Sequence, residues 1–275
     1  MSQPITKFLN KILNRSNSES ETLPKIPKQW IEGMEPTLNN KGYMFQSTDE
    51  FSEDFVDLSG KSDDEALELG SAYGIATIAA LKAGATITAC DMDEGHLKIL
   101  KSRTPKKYHN RLTTVVGTLP NIELPENHFG TLLCSRVLHF LSGEDIDASL
   151  KNMYRWLKPG GKLFLVADTP WGIWRNFIPT WDKNVENGER WPGYMEPTVK
   201  FLPFPKRDIT TGPPFMNLMS PQLLCRSARE AGFDVRKCIY ISREDFQTKG
   251  RMDGRENCGI MAVKPDPSIS YSFDD

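Results

Sequence analysis

Cysteine is scarce in this chain and never paired: Cys90, Cys134, Cys225, Cys238 and Cys258 are five residues, far apart, with no CxxC among them. An odd number of isolated cysteines excludes a disulfide framework and a cysteine zinc site, and fits a reducing compartment. Long apolar runs are missing too. No stretch approaches the roughly 20 residues that cross a bilayer, and the first residues lack the apolar core and small-residue cleavage site of a secretory signal. Nor does one sign of charge dominate. Lys and Arg number 34 against 36 Asp and Glu, for a net charge of −2, so no broad field attracts nucleic acid or an anionic membrane. The expectation is a soluble cytoplasmic protein without a metal. Its 275 residues suffice for one large domain, or one domain with an appendage.

What is present begins with a pattern of helical period. Ile5, Phe8, Leu9, Ile12 and Leu13 fall on one side of residues 1 to 15, with Lys7, Lys11 and Arg15 on the other. The spacing predicts a short basic amphipathic helix, which either packs on its own domain or meets a partner or a membrane surface through residues 5 to 15. The polar, proline-punctuated stretch that runs on to Lys28 reads as a linker. The predicted organisation is therefore helix and linker over residues 1–28, and a single domain over residues 29–275.

From about residue 48 the pattern alternates regularly. A helix is predicted over "STDEFSEDFVDLSG", capped by Ser47 or Thr48 and stopped by Gly60. Strands follow at 65 to 69, "TITACD", "LTTVVG", "GTLLCSRV" and "KLFLVAD", separated by helices near 74 to 83, 93 to 103 and 144 to 157. Strands spaced by helical segments of that length mean crossover units, a parallel sheet and a doubly wound α/β architecture. Residues 171–220 interrupt the alternation with prolines and aromatics and read as a long loop without regular structure. A helix near 220 to 231 and strands near 233 to 241 and at "CGIMAVK" close the pattern.

The stretch "LELGSAYGIAT", residues 67 to 77, is a strand ending in an acid and a glycine, followed by a turn that opens a helix. Such a turn brings backbone N–H groups and small residues close to a nucleotide. A dinucleotide turn wants GxGxxG, but Ala72 stands at its second glycine and bulky Tyr73 precedes Gly74, which disfavours a nicotinamide cofactor. Glu68 would repel a pyrophosphate, whereas beside a sulfonium or an ammonium its charge is favourable.

Together with the segments that follow it, this stretch resembles the glycine-rich first motif of class I S-adenosylmethionine-dependent methyltransferases of the type 11/25-like group. "TITACDMDEGHL" ends its strand on Asp91, matching the family acid that holds both ribose hydroxyls. "CSRVLHFL" resembles the fourth-strand segment, "LKPGGKLFLVAD" the turn and strand after it, and "PQLLCRSAREAGFDV" the late helix before the final hairpin. The resemblance covers roughly residues 50 to 264. It implies a mostly parallel seven-stranded sheet with helices on both faces, an antiparallel last strand, an aromatic-rich insert after the fifth strand, and S-adenosylmethionine as cofactor. It also implies cofactor contacts from Glu68, Gly70, Ser71, Ala72, Tyr73, Gly74, Asp91, Met92 and Ser135. Many relatives carry an acid for the adenine amino group; here Thr118 takes that place, in "VVGTLPNIELPENHFG", so Thr118, Leu119 and backbone groups are expected to meet adenine.

His139 follows the fourth strand, near where the methyl group would sit, and is a candidate general base; packing or orienting the site is the plainer role for it. Asp168 ends the fifth strand, on the side where ligands collect. The insert supplies Trp171, Trp174, Trp181, Trp191 and Tyr194. It is expected to act as a lid, with Trp171, Trp174, Trp191 and Tyr194 over an apolar acceptor, or else to form a small core of its own. The expected function is in-line transfer of a methyl group to oxygen, nitrogen or carbon of a small molecule. A protein methyltransferase and a non-catalytic S-adenosylmethionine-binding scaffold are the alternatives. Nucleic acid is disfavoured, because "CSRV" stands where amino-methylating DNA enzymes carry an Asn/Asp-Pro-Pro-aromatic segment.

Overall fold

The computed structural model describes residues 23–28, 33–39, 42–202, 213–247 and 250–268. The predicted helix over residues 1–15 and most of the linker lie outside the described residues. The first pairing is a short antiparallel hairpin, β1 (Met34–Pro36) against β2 (Tyr43–Phe45), with no counterpart among the predicted elements.

Helix α1 (Glu50–Gly60) begins one residue later than its predicted caps allow. Asp49, not Ser47 or Thr48, is the cap, accepting the Ser52 N–H at 2.9 Å. A carboxylate there satisfies an orphan donor and also meets the positive end of the helix dipole. Phe51 and Phe55, both fully buried, form its inner face. Gly60 ends it where a Cβ would lie 2.6 Å from that of Ala83, so α1 crosses the next helix in direct contact.

Strand β3 (Ala66–Leu69) is buried along its whole length and lies parallel between β4 (Ile87–Asp91) and β6 (Phe129–Ser135). The seven-stranded sheet runs in the order β10-β11-β7-β6-β3-β4-β5. Its other members are β5 (Leu112–Val116), β7 (Leu157–Asp168), β10 (Asp234–Ile241) and β11 (Asn257–Val263). The sheet is parallel through β7, while β11 is antiparallel to both β7 and β10. Near-continuous apolar runs are what strands covered on both faces require. Successive residues accordingly enter opposite cores. Leu132 and Leu163 pack on one face with Leu150 and Trp156 of α4 (Gly143–Trp156), and Leu133 and Phe164 on the other with Phe55 and with Leu81 of α2 (Ile75–Ala83).

After β5 the chain returns to the far side of β3, so the winding reverses between β3 and β6. In an open parallel sheet that reversal leaves a crevice at the carboxyl ends of the strands. Leu69, Asp91, Ser135 and Asp168 end the four strands around it.

The insert corrects one expectation, because it does carry regular structure. It contains α5 (Ile178–Glu186) and a short antiparallel pair, β8 (Tyr194–Met195) with β9 (Met216–Asn217), ahead of α6 (Pro221–Glu230). Trp174, Phe177, Trp181, Met195, Met216 and Leu218 make a core of its own. Pro179 sits in the first turn of α5, where its missing N–H leaves nothing unsatisfied. No helix among the described residues is long and apolar enough to cross a membrane. No group of three or more His, Cys, Asp or Glu among them could hold a metal ion.

Candidate active site

The turn from β3 to α2 is held by its backbone. Gly70 and Gly74 have φ of +74° and +85°, and a Cβ on Gly74 would come within 2.5 Å of Leu100 Cγ in α3 (Glu94–Arg103). Ala72, where a dinucleotide turn places its second glycine, also takes a left-handed conformation, with φ of +44°. Its N–H donates to Asp91 Oδ2 at 2.9 Å, so the acid at the end of β4 fixes the turn at the end of β3. Ser71 Oγ is buried and has no partner among the described residues.

Above this turn opens a cavity of about 1260 Å³. A pocket for one drug-sized ligand runs to roughly 300–1,000 Å³, so there is room for two reactants. One end is lined by Glu68, Gly70, Ser71, Ala72, Asp91, Met92, Thr118, Leu119 and Ser135. The other is lined by Phe140, Leu141, Ile173, Trp174, Leu202 and Met216, and the hairpin contributes Pro36, Thr37, Met44 and Phe45. Two expected contacts do not reach its wall. Tyr73 turns away, fully buried, and its hydroxyl donates to the Pro36 carbonyl at 2.8 Å. Gly74 shapes the turn from behind, against Leu100.

Two acids face the first end. Glu68 is buried and accepts the Thr77 hydroxyl. Burial pushes its pKa up to about 7 against the opposing Thr77 hydrogen bonds, and nearby Asp91 pushes the same way. A cation arriving beside it would restore its charge. Asp91 accepts three donors: the Ala72 N–H at Oδ2, and the Asp93 N–H and His96 Nδ1, each at 2.9 Å, at Oδ1. Of about four lone-pair sites on a carboxylate, one stays free for a ligand hydroxyl.

At the end of β7 the expectation of a general base at His139 meets a correction. Its Nδ1 accepts the Asp168 N–H at 3.1 Å. A backbone amide can only donate, so the neutral ring carries its proton on Nε2 and offers a hydrogen rather than a lone pair to the cavity. Burial pushes its pKa down to about 4; Arg136 adds to that and Asp168 opposes it. Arg136 Nη2 pairs with Asp168 Oδ1 at 3.0 Å and Asn257 Nδ2 donates to the same oxygen at 2.9 Å. Burial alone would raise the Asp168 pKa, but Arg136, His139 and hydrogen bonds from Trp174 and Asn257 carry it below the usual carboxylate value.

The aromatic residues of the insert divide. Trp174 lines the cavity, its buried indole N–H directed at the Asp168 carboxylate. Trp171, Trp191 and Tyr194 do not line it. Trp171 packs edge-on against Trp181 and Tyr240, Trp191 lies against the guanidinium groups of Arg190 and Arg226, and Tyr194 stacks on Phe215 at the surface. The insert forms a wall chiefly through Ile173, Trp174, Leu202 and Met216, because its larger rings are spent on its own core and on fastening it to α6.

Sequence reasoning missed the hairpin, Arg136, Arg243, His96 and Asn257. Arg136 and Arg243 both lie over the stacked rings of Phe45 and Phe246, and Arg243 makes a two-pronged contact with Asp245. Arg136 stands in the quoted "CSRV", yet nothing in the letters shows that three distant loops meet there.

A doubly wound sheet with an acid-bearing glycine turn at its switch point defines a class I methyltransferase fold. Residues 67–165 match the family model described as a methyltransferase domain. Among solved structures, an S-adenosylmethionine-dependent methyltransferase from Methanosarcina mazei is similar over 74% of this chain and 93% of its own, at 16% identity and a TM-score of 0.57. The glycopeptide N-methyltransferase MtfA in complex with S-adenosylmethionine matches over 79% and 95%, at 20% identity and a TM-score of 0.53. An S-adenosylmethionine-dependent methyltransferase from Mesorhizobium loti matches over 72% and 90%, at 15% identity and a TM-score of 0.51. No curated protein matches the chain. Residues 67–165 thus match a methyltransferase domain, and the chain has the fold of class I S-adenosylmethionine-dependent methyltransferases.

Proposed function

We propose that this chain binds S-adenosylmethionine at the glycine-turn end of the cavity and transfers its methyl group in-line to an apolar small molecule held against the insert. The continuity of the cavity, from the Ser71 turn to Trp174, carries the reading. The donor set fits the cofactor. Ser71 Oγ is a buried hydroxyl lacking a partner, Asp91 keeps one acceptor site for a ribose hydroxyl, and Glu68 is an acid that a cation would ionise. Thr118 and Leu119 line the part of the wall left for adenine.

When bound, the cofactor supplies an electrophilic methyl group on a sulfonium. The chain's own contribution is orientation and exclusion of water. Phe140, Ile173, Trp174 and Met216 present a dry apolar wall, and His139 Nε2–H is the donor available to orient a polar atom of the acceptor. The Arg136–Asp168 pair holds the end of β7 rigid behind them. None of these groups is a strong base at neutral pH, which suits an acceptor whose nucleophile arrives unprotonated.

Calorimetric titration with S-adenosylmethionine, S-adenosylhomocysteine and NAD tests the reading. Micromolar binding of the first two and none of the third is expected. Binding of NAD alone would overturn it. Cofactor binding with turnover only on a protein acceptor would replace the small-molecule reading, and binding without turnover on any acceptor would favour the scaffold.

A further inference from the structure

We propose that His96 is a positioning residue that couples closure of the β1–β2 hairpin to the orientation of the ribose acid Asp91. The proposal rests on the cofactor reading above and goes beyond it, because it makes the cavity's roof and its ribose contact a single event.

His96 is 1% exposed and bridges two elements distant in sequence. Its Nε2 accepts the Leu38 N–H at 3.0 Å, and its Nδ1 lies 2.9 Å from Asp91 Oδ1. The amide is an obligate donor, so Nε2 is bare, the ring hydrogen is on Nδ1, and Nδ1–H donates to the carboxylate. Only that tautomer satisfies both neighbours. Tyr73 stands edge-on to the ring, with centroids 5.2 Å apart, and fixes its plane.

The hairpin is tied to this side of the cavity at three points. The Tyr73 hydroxyl donates to Pro36 O, the Arg103 guanidinium grips Glu35 at 2.7 and 2.9 Å, and the Leu38 N–H reaches His96. Of the three anchoring side chains only His96 also touches Asp91. Lifting the hairpin removes the donor that holds Nε2, frees the ring to turn, and takes from Asp91 Oδ1 one of its two donors. The acid then keeps only the Ala72 and Asp93 N–H groups, and Oδ1 is held less firmly toward the ribose. Conversely, a ribose hydroxyl on Asp91 favours the ring position that receives Leu38, and so favours the closed roof, since linkage is reciprocal.

Three variants test this. His96→Phe keeps the packing against Tyr73 and removes both hydrogen bonds, His96→Gln can still donate and accept, and Glu35→Ala loosens the hairpin at an exposed anchor without touching Asp91. Amide hydrogen exchange of residues 33–47 is followed in the ligand-free protein. Calorimetry then compares S-adenosylhomocysteine with its 2′-deoxy and 3′-deoxy analogues. In the wild type, at least one deoxy analogue is expected to bind about tenfold more weakly than the parent. His96→Phe is expected to exchange the hairpin amides at least about tenfold faster and to shrink that discrimination to below about threefold, with His96→Gln restoring both. Glu35→Ala is expected to speed exchange and lower discrimination, with no further loss of discrimination when combined with His96→Phe. Wild-type exchange in His96→Phe would overturn the proposal whatever the ligands do. An equal loss of affinity for parent and analogues would reduce His96 to a packing role. Absence of S-adenosylhomocysteine binding in the wild type would overturn the cofactor reading and the ribose half of the proposal, leaving exchange to decide whether His96 holds the hairpin.

Discussion

The backbone N–H of Ala72 donates to Asp91 Oδ2 at 2.9 Å, joining the turn after β3 to the acid that ends β4. Ala72 pays for its left-handed backbone with this hydrogen bond, and Asp91 gains a fixed rotamer. One carboxylate thus shapes the turn and keeps an acceptor site open to the cavity.

Replacing Asp91 by Asn removes the charge while keeping most of the shape. Affinity for S-adenosylhomocysteine is expected to fall by about 1.5–3 kcal/mol, the range for losing charge-assisted hydrogen bonds. Calorimetry reads this directly, and unchanged affinity would place the ribose elsewhere.

Glu68 has its pKa raised from 4.5 to about 7, so the folded chain holds a proton there that the unfolded chain releases. Stability from this group is therefore greatest below about pH 4.5 and declines as pH rises toward 7. Glu68→Gln is expected to be more stable than the wild type at pH 8, by on the order of 1–3 kcal/mol. The same substitution should weaken S-adenosylmethionine binding, whereas in the wild type that binding should tighten from pH 6 to pH 8. Denaturant midpoints and titrations at the two pH values check both signs.

His139 behaves oppositely. Its pKa is lowered from 6.5 to about 4, so as pH falls through that window the unfolded chain takes up the proton first and stability is lost. His139→Gln is expected to flatten this part of the pH–stability curve, saving on the order of 1–3 kcal/mol at pH 4.5 relative to the change in the wild type. The kcat profile of the wild type between pH 6 and 8 is expected to show no inflexion from this ring. An inflexion removed by the substitution would restore it as a base.

Trp174 and Trp191 should separate by phenotype. Trp174→Phe removes the indole N–H beside Asp168 at the cavity wall and is expected to lower turnover about tenfold, with cofactor affinity and Tm nearly unchanged. Trp191→Ala removes the ring between Arg190 and Arg226 and the filler beside Gly143, and is expected to cost about 2–4 kcal/mol of stability. Cofactor affinity measured well below the Tm should survive it. A selective turnover defect in Trp191→Ala would return that ring to the acceptor site.

Much of the sheet was legible because period, cap and stop are local signals. The strand from Ala66 to Leu69, apolar but for Glu68, reads the same whichever way the chain later winds, and Gly84 and Pro105 end helices through their own backbone limits. The hairpin was not legible, since three-residue strands carry too few letters for a period. The insert misled for another reason. Tryptophan is as suited to a small core as to a binding wall, and the letters do not say which ring faces which way.

By itself the sequence determined the alternation of strands and helices, the glycine turn, and the acids Glu68 and Asp91 at the ends of its strands, because each depends on residues adjacent in the chain. Tertiary structure alone decided which groups face the cavity. Tyr73 sits beside Ala72 in sequence, yet one turns to Pro36 and the other to Asp91. His139 lost its lone pair to an amide 29 positions away, and His96 acquired one 58 positions away. Hydrogen bonds between distant segments depend on where the fold brings donors and acceptors together, and no local pattern of residues encodes that meeting.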